Sequence, residues 1–398
     1  MIIKSKLIGN VSKAAHPYGC KQAILEQIEY VKKNNNYEGP KKVLILGASS
    51  SYGLASRISL AFGAHADTIG VSFEKGIESE TKLATAGWWN NIFFKEEAEK
   101  EGLIAKNFIG DAFSDEMRNK VIKYIKEEFG GKIDLLIYSL ASGRRTEPST
   151  GITYTSVLKP IGHNVSGFNI NLEKDELFVQ NADPATDEEI HDTIKVMGGE
   201  DWELWVKALL EEDVLADGFK TTLFSYIGPE VTQPFYRTGT LGRAKKHTEE
   251  TSAKINKLLK EKVNGESVIC VSKAIVTKAS AVIPVLPIYS AALYKVMLEK
   301  NIHEDAIMHK HRFFKDMLYG NNREYDEQGR LRPDYWEMRD DVQEEVKEIM
   351  DMITPENFKD LIAHDLCKKE FLRLNGFEYD GIDYNQDIDL ESLKKLQP

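Results

Sequence analysis

The stretch from Lys41 to Arg57, KKVLILGASSSYGLASR, constrains the fold more than any other part of the chain. Its four apolar residues, Val43 to Leu46, have the length and composition of a strand that is buried on both faces. Small residues between Gly47 and Gly53 follow, and an amphipathic segment then opens with Leu54. This is the order of a strand, a tight turn and a helix N-terminus, where backbone N–H groups and the helix dipole bind phosphate.

A dinucleotide pyrophosphate is the usual ligand of such a turn. The spacing Gly47-x3-Ser51-x-Gly53 is not G-x-G-x-x-G and is nearer to the G-x3-G-x-G form of the short-chain dehydrogenases/reductases. Taken alone, the pattern also fits an ordinary tight βα turn that binds nothing. If the turn binds a dinucleotide, its contact residues are Gly47, Ala48, Ser49, Ser50, Ser51 and Tyr52.

The composition limits the class of protein. The 398 residues, 42% of them hydrophobic and 29% charged, suffice for one large α/β domain or two ordinary ones in a soluble protein. A formal net charge of −11 argues against nucleic acid or an anionic membrane as the main partner. No run reaches the ~20 apolar residues of a membrane span, and the N-terminus lacks a signal-peptide pattern. The three cysteines have no zinc or disulfide spacing, so we expect a reducing cytoplasm.

The histidines do not predict a metal site. Only His309 and His311 lie close together in the sequence. Residues two apart on a helix point in different directions, so we expect these two on a solvated helix surface and expect no bound metal.

Three more strands follow the first βα unit. We predict them at Thr68 to Phe73, Lys106 to Ile109 and Ile133 to Tyr138, with a helix from Ser114 to Phe129. Strands that alternate with helices predict an α/β fold, a Rossmann-type doubly wound parallel sheet with helices on both faces. Residues Arg144 to Phe178 alternate in β fashion and predict an inserted hairpin beside the cofactor cleft.

Residues at the carboxyl ends of these strands complete the predicted dinucleotide site. Phe73 and Glu74 end the second strand, where a carboxylate accepts both ribose hydroxyls and repels a 2′-phosphate. Glu74 therefore favours NADH over NADPH, although Lys75 acts in the opposite direction. The third strand leads to a carboxylate placed for the adenine, and the fourth to small residues placed for the nicotinamide ribose. These further residues are Asp111, Ala112, Ser139 and Leu140.

Other segments are assigned from local patterns. We expect a strand at Ile2 and Ile3, a helix from about Cys20 to Lys32, and an amphipathic helical run that ends at Leu215. A fifth strand is predicted at Lys220 to Tyr226. The adjacent Trp88 and Trp89 are either hydrophobic plugs, which we favour, or a wall of a ligand site. We expect one domain over 1–398, with a cofactor-binding and catalytic core at 41–283 and a mostly helical covering segment at 284–398.

Tyr236 and Lys245 are the candidate reacting groups. In short-chain reductases the catalytic Tyr and Lys are four residues apart on one helix face. Here they are nine apart, which on one continuous helix would place them on opposite faces. They converge only if the helix is broken between them, which Gly239 and Gly242 allow. The spacing alone favours a surface Tyr and an unrelated helix Lys.

Six motifs together resemble the trans-2-enoyl-CoA reductase family, which includes the FabV-type enoyl-ACP reductases. The resemblance runs from about residue 1 to 395, with departures at Ser51, where many members have glycine, and at Ala112, often serine. The motifs are Gly47-Ala48-Ser49-x2-Tyr52-Gly53, Gly87-Trp88-x-Asn90, Leu158-Lys159-Pro160-Ile161-Gly162, Met197-Gly198-Gly199-x-Asp201-Trp202, Tyr236-x8-Lys245 and Val276-Thr277-x-Ala279-Ser280-Ala281-Val282-Ile283-Pro284.

The resemblance implies an enlarged short-chain-reductase fold and NADH-dependent reduction of the 2,3-double bond of an enoyl thioester, carried by CoA or acyl-carrier protein. It implies Tyr236 as the donor to the thioester oxygen and Lys245 as a positive charge that contacts the nicotinamide ribose. Tyr226 would contact the thioester carbonyl. Ile275, Val276 and Thr277 would close over the nicotinamide. A short-chain ketoreductase or alcohol dehydrogenase and a non-catalytic dinucleotide sensor are the competing hypotheses. We expect a monomer that needs neither metal nor flavin.

Overall fold

A six-stranded parallel sheet lies at the centre of the computed structural model, which describes residues 1–398. Its strands are β3 (Lys42–Leu46), β4 (Asp67–Ser72), β5 (Ala105–Ile109), β6 (Ile133–Tyr138), β11 (Leu215–Ser225) and β12 (Glu266–Val271). Their spatial order is β12-β11-β6-β3-β4-β5. All neighbouring strands are parallel, and the order in which strands are added to the sheet reverses between β3 and β6. The carboxyl ends of these two strands therefore frame the crevice where Rossmann folds bind dinucleotides. The predicted fold class is confirmed.

Helices cover both faces of the sheet, and fourteen lie along the chain. The first six are α1 (Pro17–Lys33), α2 (Ser51–Ala64), α3 (Ala86–Lys100), α4 (Asp115–Glu128), α5 (Asp187–Met197) and α6 (Glu200–Glu211). Then come α7 (Gln233–Tyr236), α8 (Thr240–Val263), α9 (Leu286–Glu299), α10 (Ala306–Arg312), α11 (Asp340–Met352), α12 (Phe358–Leu361), α13 (His364–Arg373) and α14 (Leu390–Lys394).

Side-chain alternation along β3 divides the core between the two faces. Leu44 and Leu46 pack in a cluster with α4, α6 and α8, whereas Val43 and Ile45 pack with α2 and residues 313–318. All four side chains are fully buried. Successive strand residues point to opposite faces, so a strand with helices on both sides must be apolar throughout.

Three two-stranded hairpins lie outside the sheet. They are β1 (Leu7–Ile8) with β2 (Val11–Ser12), β7 (Arg144–Thr146) with β8 (Thr153–Thr155), and β9 (Val165–Asn171) with β10 (Glu176–Ala182). The expected strand at Ile2 and Ile3 is wrong, because pairing begins only at Leu7. The insert predicted as one hairpin over 144–178 forms two.

Several helices and strands begin or end at other residues than predicted. Helix α2 begins at Ser51 rather than at Leu54, because the small residues of the turn already form its first turn. Strand β4 ends at Ser72, which leaves Phe73 outside the sheet with 73% of its surface exposed. Leu215 begins β11 instead of ending a helix, and the pairing of β11 with β6 is irregular between Leu215 and Lys220.

The expected solvated surface for His309 and His311 is wrong. Their side chains are 0% and 3% exposed, because α10 is enclosed by other elements and packs against α2. His309 contacts Glu304 at 3.0 Å, and His311 contacts Ser59 at 3.0 Å. No group of three or more His, Cys, Asp and Glu side chains is placed to hold a metal ion.

Besides the contact of α10 with α2, the C-terminal third packs on the core in two further regions. Residues 313–318 form a π-helical turn. Its apolar side chains pack on the face of the sheet that carries Val43 and Ile45. Helices α11 and α13 pack against α9, and together they enclose a second apolar cluster that includes Tyr236. No helix combines the length and the apolar character that crossing a membrane requires.

Candidate active site

The turn after β3 has the geometry of an anion-binding loop. Gly47 has φ +86°, and a Cβ there would lie 2.3 Å from the Ser139 carbonyl oxygen. A Cβ on Gly53 would lie 1.9 Å from the Gly47 carbonyl oxygen, so the start of α2 packs directly on the turn. No side chain caps the N-terminus of α2. Its first N–H groups and the positive end of its dipole therefore suit a phosphate group.

Ser51 lies where the resemblance led us to expect glycine, and it has φ +47°. A left-handed backbone conformation costs a non-glycine residue about 1 kcal/mol or more. The turn keeps this conformation with serine, so the departure from the family pattern changes the side chain but preserves the shape of the loop.

Glu74 is fixed against this loop. Its Oε1 accepts a hydrogen bond of 2.6 Å from Ser49 Oγ, and its Oε2 accepts one from Thr85 Oγ1. A Cβ on Gly87 would lie 2.0 Å from Oε1, and Asn90 Nδ2 donates to the Ser49 carbonyl at 2.9 Å. The Gly87-Trp88-x-Asn90 motif therefore supports the loop after β3 from α3. Each Glu74 oxygen keeps a lone pair for a further donor.

The two tryptophans of this motif differ, because only Trp88 lines a surface pocket, together with the end of the chain. The Trp89 side chain is 1% exposed and stacks on Phe93 at 6.4 Å between ring centroids, so it fills the core. Trp88 is half-buried. Thr85, whose hydroxyl bonds Glu74, is a site residue that the sequence reasoning missed. A Thr one residue before a helix is a capping signal, and Thr85 does cap α3.

The remaining predicted cofactor residues lie at strand ends around the same crevice. Ser139 follows β6, and its N–H donates to the Leu46 carbonyl at 2.9 Å. Asp111 is exposed beyond β5, and its Oδ1 accepts the Phe113 N–H at 2.9 Å. Ala112 is 5% exposed, and its carbonyl accepts the indole N–H of Trp205 at 3.0 Å.

The Tyr52 hydroxyl is bonded within the protein. It donates to the Lys273 carbonyl and so connects the loop after β3 to the segment after β12. Lys310, which the sequence reasoning missed, lies over the Tyr52 ring at 4.2 Å and over the Phe224 ring at 3.6 Å. Burial lowers the pKa of Lys310 to about 8, and its ammonium donates to Ser272 Oγ at 2.6 Å.

Tyr236 lies at the end of α7, and Lys245 lies in α8. The helical conformation is interrupted at Arg237 to Gly239, which is the condition that the sequence set for the two residues to converge. Gly242 lies inside α8, where a Cβ would come within 2.1 Å of the Arg237 carbonyl oxygen. Gly242 therefore permits the close packing of α7 on α8 rather than the break itself.

The Tyr236 hydroxyl has no hydrogen-bond partner within the protein, although its side chain is only 8% exposed. Its ring meets Tyr226 edge-on at 4.7 Å between centroids. Burial raises the pKa of Tyr236, which keeps the phenol protonated and able to donate. The Lys245 ammonium, in a half-buried side chain, also has no bonded partner, and burial lowers its pKa to about 8.

Tyr226 differs from Tyr236 because its hydroxyl is already bonded. Tyr226 Oη lies 2.9 Å from Glu337 Oε1, and Tyr289 Oη lies 2.8 Å from the same oxygen. Glu337 Oε2 accepts the backbone N–H of Ala274 at 2.6 Å. Glu337 belongs to the C-terminal third of the chain, and nothing in its local sequence marks it as a site residue.

The segment from Ile275 to Thr277 runs beside these tyrosines. The Val276 N–H donates to Tyr294 Oη at 3.1 Å, and Thr277 N–H donates to Ser280 Oγ at 2.8 Å. Ile275 is buried, whereas Val276 and Thr277 are half-buried. Hydrogen bonds to α9 and within its own turn thus hold the segment in place, while the side chains of Val276 and Thr277 remain partly exposed.

Three family models match consecutive parts of the chain. They are described as the NAD(P)H binding domain of trans-2-enoyl-CoA reductase over 2–79, the trans-2-enoyl-CoA reductase catalytic region over 82–319 and an enoyl reductase FAD binding domain over 325–388. The first two ranges contain every site residue predicted from the sequence.

Residues 325–388 do not fit a flavin. Flavin sites on Rossmann folds use a strand, a glycine-rich turn and a helix. This segment has three separated glycines and no strand, and its helices pack against α9. The cavity that His364, Cys367 and Phe371 line has a volume of about 20 Å³, which suits a water molecule and not an isoalloxazine ring.

Curated relatives and solved structures match over the whole length. A trans-2-enoyl-CoA reductase [NADH] of Clostridium beijerinckii is 58% identical, and an enoyl-[acyl-carrier-protein] reductase [NADH] of Photobacterium profundum is 50% identical, each covering 100% of both chains. The crystal structure of Clostridium acetobutylicum trans-2-enoyl-CoA reductase in complex with NADH has a TM-score of 0.98 at 52% identity, covering 100% of both chains. The Treponema denticola trans-2-enoyl-CoA reductase in complex with NAD gives 0.93 at 47% identity, covering 98% of both chains.

Proposed function

The chain belongs to the trans-2-enoyl-CoA reductase family, and we propose that it reduces the 2,3-double bond of a trans-2-enoyl thioester with NADH. One observation carries the chemistry. Tyr236 presents a protonated hydroxyl with no partner in the protein, beside the Tyr226 ring. The Tyr236 oxygen is unbonded but is not one of the enclosed polar atoms, so it remains accessible at the edge of a buried side chain and is placed to donate to a substrate.

NADH supplies a hydride to C3 of the enoyl thioester, and negative charge then develops on the thioester oxygen. We assign Tyr236 as the hydroxyl that donates to that oxygen, an oxyanion-stabilising role. A donor that the protein already holds in place needs little reorganisation when the charge develops. Tyr236 is also the proposed proton source for the reduced product.

Lys245 is the proposed positive charge of the site. Its ammonium has no carboxylate bonded to it, and burial already weakens its hold on the proton, to a pKa of about 8. An anionic or polar partner would restore the charged form. We therefore assign Lys245 to the nicotinamide ribose, from where its charge also favours the enolate.

The cofactor assignment rests on the loop after β3 and on Glu74. The uncapped α2 N-terminus suits the pyrophosphate, and the fixed carboxylate suits a ribose that bears two hydroxyls. We propose Gly47 to Tyr52 as the phosphate-binding turn, with Phe73 and Glu74 on the adenosine ribose. Asp111 and Ala112 would contact the adenine side, and Ser139, Leu140 and Ile275 to Thr277 the nicotinamide side.

CoA is the thioester carrier that we propose first, because the relatives of 58% and 52% identity are named trans-2-enoyl-CoA reductases. The relative of 50% identity is named an enoyl-[acyl-carrier-protein] reductase, which keeps the protein-bound thioester as the second candidate. Parallel kinetics with crotonyl-CoA, a longer enoyl-CoA and the matching carrier-protein thioester distinguish the two carriers.

Oxidation of NADH by crotonyl-CoA, followed by the loss of NADH absorbance, tests the proposed function directly. We expect turnover with the enoyl thioester and none with ketones or alcohols. A ketoreductase would oxidise NADH with a 3-ketoacyl thioester instead, and a non-catalytic sensor would bind NADH without turnover. Either result would contradict the proposal.

We further propose one enlarged reductase domain over 1–398, with 41–283 as its core and 284–398 as its covering segment. Contacts of α10 with α2 and of α9 with β9 join the covering segment to the core and support a single domain. A cytoplasmic location is supported by three free, buried cysteines. The monomeric state is a prediction that light scattering checks.

A further inference from the structure

Glu337 is a buried carboxylate that the proposed mechanism leaves without a role. It follows a short 3₁₀ turn at Pro333–Trp336, and its side chain is 0% exposed. Although it lies in the covering segment, 111 residues from Tyr226 in sequence, it bonds the Tyr226 hydroxyl. Its other oxygen bonds the backbone N–H of Ala274, at the start of the segment assigned to the nicotinamide.

The orientation of Gln343 fixes the hydrogen bonds around Glu337. One nitrogen, Gln343 Nε2, lies 2.6 Å from the Glu337 backbone carbonyl and 3.0 Å from Tyr289 Oη. The carbonyl only accepts, so this atom is the amide donor. Tyr289 Oη therefore accepts from Gln343 and donates its own proton to Glu337 Oε1, the acceptor that lies 2.8 Å from this fully buried hydroxyl.

The direction of the Tyr226 bond then depends on the proton of Glu337. An ionised carboxylate only accepts, so Tyr226 must give it the single phenol proton and has none for a substrate. A protonated Glu337 must donate from Oε1, and Tyr289 is already a donor to that oxygen. Tyr226 Oη is thus the acceptor that remains, and the Tyr226 proton becomes free for another oxygen.

We propose that Glu337 is a positioning residue that, in its protonated form, turns the Tyr226 hydroxyl proton towards the thioester oxygen. The inference rests on the proposed function, since it assigns a second donor to the same oxyanion. Tyr236 donates in either state of Glu337, whereas Tyr226 donates only when Glu337 is neutral. No covalent step is added, because the change is one of hydrogen-bond direction.

The surroundings of Glu337 bring the pKa of its carboxyl close to neutral pH, where both protonation states are populated. Burial raises the pKa of Glu337 to about 7, against the opposing effects of the Ala274 N–H and the Lys273 charge. Lys273 is itself fully enclosed, with its ammonium 3.1 Å from the Ala274 carbonyl. The titratable groups that act on or respond to Glu337 from the surrounding elements are Lys273, Asp334, Tyr226, Tyr289, Tyr236 and Tyr52.

The pH dependence of kcat with crotonyl-CoA and saturating NADH tests the proposal. In the wild type, loss of the Glu337 proton should lower kcat by about tenfold from about pH 6 to about pH 8. Lys245, whose pKa is about 8, contributes about a further twofold over that range. Glu337→Gln carries a permanent amide donor, so it should keep only the twofold decline.

Two variants separate positioning from a structural role. Glu370→Gln is the matched control, because Glu370 is another C-terminal carboxyl whose pKa burial raises to about 7, and it has no bond to Tyr226. It should keep the wild-type profile. Tyr226→Phe keeps Glu337 but removes the hydroxyl that it directs, so its kcat should show only the twofold decline expected for Glu337→Gln. It also serves where Glu337→Gln is too unstable to assay.

The outcomes are distinct. A wild-type enzyme that does not turn over crotonyl-CoA contradicts the proposed function rather than this inference. Turnover with a steep decline that persists in Glu337→Gln or in Tyr226→Phe would overturn the inference while leaving the function intact. Loss of the decline in Glu370→Gln would also overturn it, because the titrating carboxyl would then lie elsewhere.

Discussion

Replacement of Glu74 by Gln should narrow the preference for NADH over NADPH. Glutamine keeps an acceptor for Ser49 and a polar partner for Thr85, so the loop should stay in place while the charge disappears. The carboxylate is half-buried, between bulk water and the interior. At about 4 Å, two like charges cost about 1 kcal/mol in water and about 4 kcal/mol at a protein surface of effective dielectric 20. A middle value of about 2 kcal/mol corresponds to about thirtyfold in kcat/KM.

The assay is kcat/KM for each dinucleotide at a fixed, saturating enoyl thioester. Wild type should prefer NADH by about thirtyfold or more, and Glu74→Gln should lose most of that ratio chiefly through better use of NADPH. Glu78→Gln is the control, because this exposed carboxylate on the same loop pairs with Lys82 at 3.4 Å. Equal use of both dinucleotides by the wild type, or an unchanged ratio in Glu74→Gln, would refute the role of Glu74.

Three further outcomes are expected. Gly53→Ala should weaken NADH binding by at least about tenfold in a fluorescence titration, because its Cβ would lie 1.9 Å from the Gly47 carbonyl oxygen and force the turn apart; unchanged affinity would contradict the turn assignment. Lys245→Met should lower kcat and raise the Kd for NADH, and wild-type kcat/KM should fall above about pH 8 as the Lys245 ammonium loses its proton; a variant with normal NADH affinity would exclude the ribose contact. Activity should survive exhaustive dialysis against chelator, and purified protein should lack a flavin absorbance band; restoration of lost activity by zinc or flavin would show a missed cofactor.

The strands of the sheet could be predicted because burial on both faces leaves a local signature. Val43 to Leu46 and Ile133 to Tyr138 are almost continuously apolar, and both lie where the sequence places them. The turn after β3 was also recognisable, since a phosphate loop needs small residues at fixed spacing. Its boundary was not, because Ser51 to Gly53 have the composition of a turn but already belong to α2.

Features that depend on distant partners could not be predicted from the sequence. His309 and His311 point in different directions, as expected, but both directions are buried because α10 lies between other elements. Leu215 ends an amphipathic pattern and nevertheless begins β11, because it pairs with Ile133. That partner lies far away in sequence, so the local pattern could not show the pairing. Glu337 reaches Tyr226 across 111 residues, and no local pattern reports such a contact.

The candidate pair shows both the reach and the limit of sequence reasoning. A helix break between Tyr236 and Lys245 was required for them to act together, and the structure contains it at Arg237 to Gly239. The glycine at 242 was expected to contribute to that break, yet it lies inside α8 and serves close packing instead. The glycines between Tyr236 and Lys245 indicated that the helix could be interrupted there. Only the packing of α7 on α8 shows which glycine lies in the interruption and which lies in the contact between the helices.

The most direct test of the account is the kcat of Tyr236→Phe with crotonyl-CoA at saturating NADH. The ring and its edge-on contact with Tyr226 remain, so the Kd for NADH should be unchanged. Loss of the unbonded Tyr236 hydroxyl should lower kcat and kcat/KM alike by roughly 10²–10³, as for removal of an oxyanion donor. A Tyr236→Phe enzyme with near-wild-type kcat, while Tyr226→Phe is inactive, would contradict the account and assign the essential donor to Tyr226.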